Sequence, residues 1–306
     1  MRTIRQAINA WAHRANEVGP TRLAMARGVK QAIYAWSHQA NCGNVGHRIQ
    51  AISRLIYFQA RGRIFNKRTA VPIGTRSLIW ADPRHYATVK VVCANPPDYP
   101  EMLAWHQFLR PGDTFVDVGA NVGTYSIWAA DLGAKVIALE PAEETYGLLT
   151  ENIKLNRYEI RAIMAAAGPT VGTAHFTRGL DDQNRIDPAG SAEVKMITID
   201  SVIKRQKIAG MKVDVEGFEA DVLRGSERAL SENRIGMIQL EWNSTSQQAG
   251  HVDRRSVAAL LKVHGYSLYR PDRTGMLIPV VNIDFGSDIF ARATPDWTHQ
   301  RGSSNG

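Results

Sequence analysis

The chain has 306 residues, room for one full α/β domain and an extension, and its 44% hydrophobic and 22% charged residues are those of an ordinary globular protein. Two distant cysteines, Cys42 and Cys93, exclude a disulfide framework or a cysteine metal site, and no apolar run nears the roughly 20 residues of a membrane span. The net charge of +8 is unevenly placed: residues 1–70 hold twelve Lys or Arg against Glu17 alone, so the remainder is slightly acidic. These features predict a reducing, cytoplasmic setting, with the basic segment available to a membrane surface.

Residues 1–66 read as a basic helical extension of three helices, broken near Gly19-Pro20 and at 41–44. Its apolar stripes are Ile4, Ile8, Trp11, Ala15 and Val18, then Val29, Ile33, Trp36 and Ala40, then Val45, Ile49, Ile52 and Ile56. An Arg-rich, acid-poor amphipathic segment suits a solvated cap or dimer contact, an anionic membrane surface or, least of the three, nucleic acid. From Arg68 to Cys93 the pattern predicts strands over 70–73, 77–80 and 88–92, forming a small antiparallel flap on one edge of the main sheet. Asn95-Pro96-Pro97-Asp98-Tyr99 is similar to the Asn-Pro-Pro-aromatic loop of certain amino-methyltransferases, but an Asp interrupts it, and it reads as a Pro-rich turn.

After a helix over 101–109, Thr114 to Val118 is a short β-rich run containing Asp117, followed by a loop with Gly119, Asn121 and Gly123 and a helix from Thr124. Such a strand-loop-helix aims backbone N–H groups and the positive end of a helix dipole at a ligand above the loop. A second strand, Lys135 to Leu139, ends in Glu140, 21 residues after Gly119, where a carboxylate can accept both hydroxyls of a ribose. The loop reads G-A-N-V-G and lacks the third glycine of the dinucleotide pattern, which disfavours a pyrophosphate. S-adenosylmethionine fits better, with its ribose on Glu140, its amino-acid end over the loop and its ammonium facing Asp117.

A helix follows over 143–155, a third strand over 160–166, a short one over 173–177, and a polar loop over 178–191 fit to cover a site. Next come a strand over 194–199 and a short helix over 200–207. Met211 to Gly225 then alternates Lys212, Asp214 and Glu216 with Met211, Val213 and Val215, passing through Gly217 into a helix. A fifth strand, Ile235 to Trp242, carries Glu241 at its tip. Ligands of open α/β sheets sit beyond the strand ends, so Asp214, Glu216 and Glu241 are expected in one crevice with Gly119 and Glu140. The C-terminal part predicts a helix over 253–264, closing strands over 266–269 and 276–281, and a disordered tail over 296–306. His175, His251 and His264 stand alone, and surface or packing roles are expected of them, with His251, a short loop after the Glu241 strand, the exception worth mutating.

F-V-D-V-G-A-N-V-G-T-Y-S at 115–126, A-L-E-P at 138–141 and K-V-D-V-E-G-F-E-A-D-V-L-R-G at 212–225 resemble the FkbM-type S-adenosylmethionine-dependent methyltransferases, as do T-I-D-S-V-I at 198–203 and L-E-W at 240–242. The resemblance covers about Glu101 to Glu241, half of the chain, and implies an α/β class I methyltransferase (Rossmann-like) fold with a mostly parallel seven-stranded sheet, in a domain expected over 67–295, and O-methylation of a hydroxyl on a sugar, glycolipid or natural product. Ala166-Ala167-Gly168-Pro169 departs from the family's small-Gly-acid turn, which touches the adenine contacts. Asp117, Gly119, Asn121, Gly123 and Glu140 are assigned to the cofactor. Asp214, Glu216 and Glu241 are assigned to the acceptor hydroxyl, with Glu216 the preferred base. A divalent cation held by the same three acids is the alternative. The rival classes are a nicotinamide-dependent oxidoreductase and a non-catalytic membrane or nucleic-acid adaptor.

Overall fold

The computed structural model describes residues 30–42, 45–65, 67–82, 86–177, 184–242, 254–283 and 288–294. The first apolar stripe, the start of the polar loop at 178–183, the loop at 243–252 with His251, and the 296–306 tail lie outside the described residues. The chain divides into two compact units, Met1–Pro72 with Trp80–Tyr99, and Ile73–Ile79 with Pro100–Gly306.

Near-continuous apolar runs build the sheet of the second unit, and such runs suit parallel strands covered on both faces. Every residue of Ile208–Val213 (β9) and Ile235–Leu240 (β10) is buried, as is every residue of Thr114–Val118 (β3). The eight-stranded order is β12 (Leu277–Pro279), β11 (Tyr266–Pro271), β13 (Ile289–Ala293), β10, β9, β3, β4 (Lys135–Leu139) and β5 (Ile160–Ile163). β10, β9, β3, β4 and β5 run parallel, whereas β13 is antiparallel to β10 and β11, and β12 to β11. Apart from the edge strand β12, these are the seven strands of the class I methyltransferase sheet that the resemblance implies. The chain lays β3, β4 and β5 in one direction and later returns to place β9 on the other side of β3. That reversal opens a crevice at the carboxyl ends of β3 and β9.

A three-stranded sheet, β6 (Ala166–Ala167), β8 (Ala192–Ile197) and β7 (Gly172–Phe176), stands apart from the main one. The predicted third strand over 160–166 is therefore two pieces: β5 ends at Ile163, and Ala166–Ala167 pairs with Met196 and Ile197. The short helix predicted over 200–207 is Ile199–Ile203, stopped where Lys204 turns to a positive φ. Thr198 caps its start by accepting the Ser201 N–H at 3.1 Å.

In the first unit, β1 (Thr69–Ile73) and β2 (Ser77–Ala81) form the two-stranded sheet of the predicted flap, with the hairpin tip at 73–79 counted in the second unit. The third flap strand is a correction: Thr88–Val92 lies in a helix, Tyr86–Cys93. Its β-branched run favours strand only weakly, and here Val89, Val91 and Val92 are buried in a helix that is covered on nearly every side. The Thr88 hydroxyl donates to the Asp82 carbonyl and accepts the Asp82 N–H, both at 2.9 Å. Buried Asn41 donates to the Ala35 and Cys93 carbonyls at 2.8 and 2.9 Å. The Pro-rich turn presents the Pro97 carbonyl to His38 at 2.6 Å and to the Tyr34 hydroxyl at 3.3 Å. No helix among the described residues is long and apolar enough to cross a membrane.

Candidate active site

The glycine loop is fixed by its neighbours on both sides. Gly119 and Ala120 donate their N–H groups to the Leu139 carbonyl at 3.0 and 2.9 Å, which ties the end of β3 to the end of β4. Gly119 has φ +78°, and a Cβ there would lie 1.9 Å from the Asp214 carbonyl oxygen. Only glycine lets the loops after β3 and β9 touch at the reversal point. Gly123, at φ +93°, caps the Thr124–Asp131 helix, and a Cβ on it would lie 2.7 Å from Leu149 Cδ1. Between them Asn121 adopts φ 50° and accepts the Val122 N–H on its own side chain at 2.7 Å.

Glu140 closes this loop from the β4 side. Its Oε2 accepts the Asn121 N–H at 2.9 Å and its Oε1 the Ala142 N–H at 3.0 Å. Each carboxylate oxygen keeps a second lone pair, so the acid that orders the loop can still accept two ligand hydroxyls. Burial pushes its carboxyl up to about 7 against those two N–H groups, with Asp117 and Asp214 adding to the rise.

Asp117 is buried beneath the loop. The Ser126 hydroxyl donates to its Oδ2 at 2.6 Å, while Oδ1 is buried and has no hydrogen-bond partner among the described residues. Burial raises its carboxyl, and the Lys212 ammonium opposes the rise. Asp117 and Lys212 are register partners on β3 and β9. Lys212 Nζ lies 2.6 Å from Asp214 Oδ2 and 4.6 Å from the centre of the Tyr125 ring. Burial alone would lower this ammonium, but Asp214 and Asp117 outweigh it and hold it above its ordinary range.

Asp214, Glu216 and Glu241 bring one oxygen each to within 4.8 Å of one another. The tip of β10 reaches this point because the Glu241 N–H donates to the Val213 carbonyl at 3.1 Å. Glu216 sits at φ 52° and is followed by Gly217 at φ 101°, a turn that re-aims the chain after β9. Burial raises the Glu241 carboxyl well above the carboxylate range, and Asp214, Glu216, Glu219 and Asp288 push it further. Three acids this close oppose one another's ionisation.

Of the eight residues singled out from the sequence, Asp117 thus lies near the end of β3 itself and the other seven on the loops at the carboxyl ends of β3, β4, β9 and β10. Sequence reasoning missed several of their supports. Lys212 shares the alternation of Asp214, and its place two residues upstream was the available signal. Glu219 is buried, accepts the Gly217 N–H at 3.0 Å and is pushed up to about 7 by burial. Gln239 accepts from Trp105 at 2.5 Å and donates to Asp288 at 2.6 Å and to the Tyr125 hydroxyl at 3.2 Å, a buried relay without a local motif. His264 is 3.2 Å from Glu227, and His175, exposed on β7, stands opposite Glu193 of β8.

Beside Glu140 a cavity of about 350 Å³ is lined by Pro141, Ala142, Met164, Phe176 and Lys195 among others. Ala166–Pro169 supplies no acid there; the Gly168 N–H instead donates to the Ile197 carbonyl at 2.9 Å.

The family model of the methyltransferase FkbM domain matches residues 117–268. The hexuronic acid methyltransferase AglP of Haloferax volcanii is 28% identical over 155 residues, covering 49% of this chain and 61% of that protein. The 31-O-demethyl-FK506 methyltransferase FkbM of Streptomyces tacrolimicus is 27% identical over 200 residues, covering 52% of this chain and 75% of that protein. The methyltransferase sdnD of Sordaria araneosa is 24% identical over 255 residues, covering 66% and 96%. The match to AglP therefore spans less than two thirds of that protein's length.

Proposed function

The chain carries a methyltransferase FkbM domain, and from that premise we propose that it transfers a methyl group from S-adenosylmethionine to a hydroxyl of a sugar, glycolipid or natural product. The observation that carries this reading is the Gly119 bend pressed on the Asp214 carbonyl, with Glu140 at the next strand end holding the bend through the Asn121 N–H and its own turn through the Ala142 N–H. Glu140 offers its remaining lone pairs to the ribose. The buried Asp117 Oδ1 without a partner is the group an ammonium satisfies. Asn121 and Gly123 shape the loop over which the amino-acid end lies, and the cavity beside Pro141 suits a flat base. The relatives act on a hexuronic acid and on a demethylated FK506, which supports an oxygen acceptor.

The bound cofactor supplies an electrophilic methyl group on a sulfonium. The protein's larger task is to hold the acceptor oxygen in line with it. A protonated alcohol is a poor nucleophile, so one acid takes its proton. Asp214 is engaged by Lys212, and burial and the neighbouring acids oppose ionisation of Glu241, which supports Glu216 in that role. A shared proton is favoured over a divalent cation in the cluster because Lys212 already places a positive charge 2.6 Å from Asp214. The test is incubation with methyl-labelled cofactor and separate glycan, lipid and small-molecule fractions. Uptake of label into a hydroxyl-bearing compound is expected; failure to label any fraction by a protein that also fails to bind the cofactor overturns the reading.

A further inference from the structure

The 21-residue helix Val45–Phe65 in the first unit has one face packed and one face open, and the open face is apolar. Ala51, Leu55 and Phe58 are buried on the inner side, while Ile49, Ile56, Tyr57 and Ile64 are 56, 63, 57 and 70% exposed. At 3.6 residues per turn those four fall within an arc of about 100° and span about 22 Å of helix. The other exposed positions in or beside that arc, Gly46, Gln50, Ser53 and Ala60, add no charge, and exposed His47 lies away from it. Scattered exposed apolar residues need no explanation, but a charge-free outer face with three isoleucines does.

The segment that carries this face is charged with one sign. Residues 30–68 carry seven Lys or Arg and no Asp or Glu. Arg61 donates to the Tyr57 hydroxyl at 3.0 Å, and Arg48 lies 5.4 Å from the ring of Trp36, itself 45% exposed. An apolar stripe with basic side chains and amphipathic aromatics beside it is the arrangement of a helix lying in a lipid headgroup layer. We propose that the outer face of Val45–Phe65 docks on an anionic bilayer surface, burying Ile49, Ile56 and Ile64 among acyl chains while the flanking arginines meet lipid phosphates and carboxylates. A second copy of the chain fits less well, since it would bring two such basic, acid-free segments together. Nucleic acid fits less well, since isoleucines offer nothing to a phosphate backbone. The proposal is independent of the transfer reaction.

The experiment is flotation of the full-length chain with vesicles of phosphatidylcholine alone, or with about one third phosphatidylserine, at low and high salt. The parent is expected to float with the anionic vesicles and to lose at least about tenfold in partitioning in phosphatidylcholine alone or at high salt. Ile49→Ser/Ile56→Ser/Ile64→Ser is expected to lose about 100-fold while keeping the parent's circular dichroism and melting curve, because all three side chains are exposed. Should that variant misfold, single Ile56→Ser and Ile64→Ser changes carry the same test with smaller losses. Absence of flotation overturns the proposal, as does flotation that the isoleucine variants do not weaken. A self-association abolished by those variants, seen by sedimentation in the absence of lipid, overturns it in favour of a second copy.

Discussion

Replacing Gly119 by alanine tests the contact on which the site is built. The residue adopts φ +78°, and a Cβ would lie 1.9 Å from the Asp214 oxygen and 2.9 Å from its carbonyl carbon. The left-handed backbone costs an alanine about 1–2 kcal/mol. Relief of the contact needs the two loops to part by more than an ångström. That strains the Asp214 N–H bond to the Val118 carbonyl, 3.0 Å, and the two N–H bonds from Gly119 and Ala120 to Leu139. At about 1 kcal/mol for each of two or three weakened bonds, the total is about 3–5 kcal/mol, which lowers the melting temperature by about 10 °C in a domain of this size. Gly112 is the control: it has φ +88° and nothing within 4 Å of its Cβ position, so Gly112→Ala carries the backbone cost alone. Thermal unfolding of both variants, with calorimetric binding of S-adenosylhomocysteine, separates the two contributions. If Gly119→Ala melts and binds like Gly112→Ala, the close approach of the loops is not what shapes the site.

Two buried acids give a pH signature. Glu140 and Glu219 are each pushed from an ordinary 4.5 up to about 7, so between those values the folded chain holds protons that the unfolded chain has released. Stability of the ligand-free protein therefore falls as pH rises through 4.5 to 7, which urea titrations at intervals of half a pH unit will show. Cofactor affinity runs the other way: ribose hydroxyls donate to the ionised Glu140, so the dissociation constant should worsen as pH drops below about 7. A binding profile flat from pH 5.5 to 8 would remove Glu140 from the ribose. Glu216→Gln should cut turnover at least about 100-fold while cofactor affinity stays within about twofold; unchanged turnover would return the base to Asp214 or Glu241. Exhaustive chelation should leave turnover intact, whereas loss restored by magnesium would assign the three acids to a cation.

The parts of this architecture carried by local signals were legible in the chain. β3, β4, β9 and β10 announce themselves as apolar runs, each with an acid at or beyond its end, and the positive-φ glycines mark the bend. Convergence of the acids followed from a topological rule. What local pattern cannot carry is pairing at a distance. Ile289–Ala293, only five residues long, went unread, yet it slots between β10 and β11 and closes the sheet. The Thr88–Val92 run was misread because β-branched residues also pack in a helix whose buried side they line. Lys212 looked like one charge among several; its partners Asp117 and Asp214 are identifiable only once β3 lies beside β9.

The most direct test is calorimetric titration of the full-length chain with S-adenosylmethionine, in parallel with Glu140→Ala. Saturable one-site binding to the parent, weakened at least about 30-fold when the two N–H bonds and the ribose acceptor are removed together, is the expected result. No heat with the parent, or equal affinity in the variant, would contradict the placement of a sulfonium nucleoside between the bend and its acid.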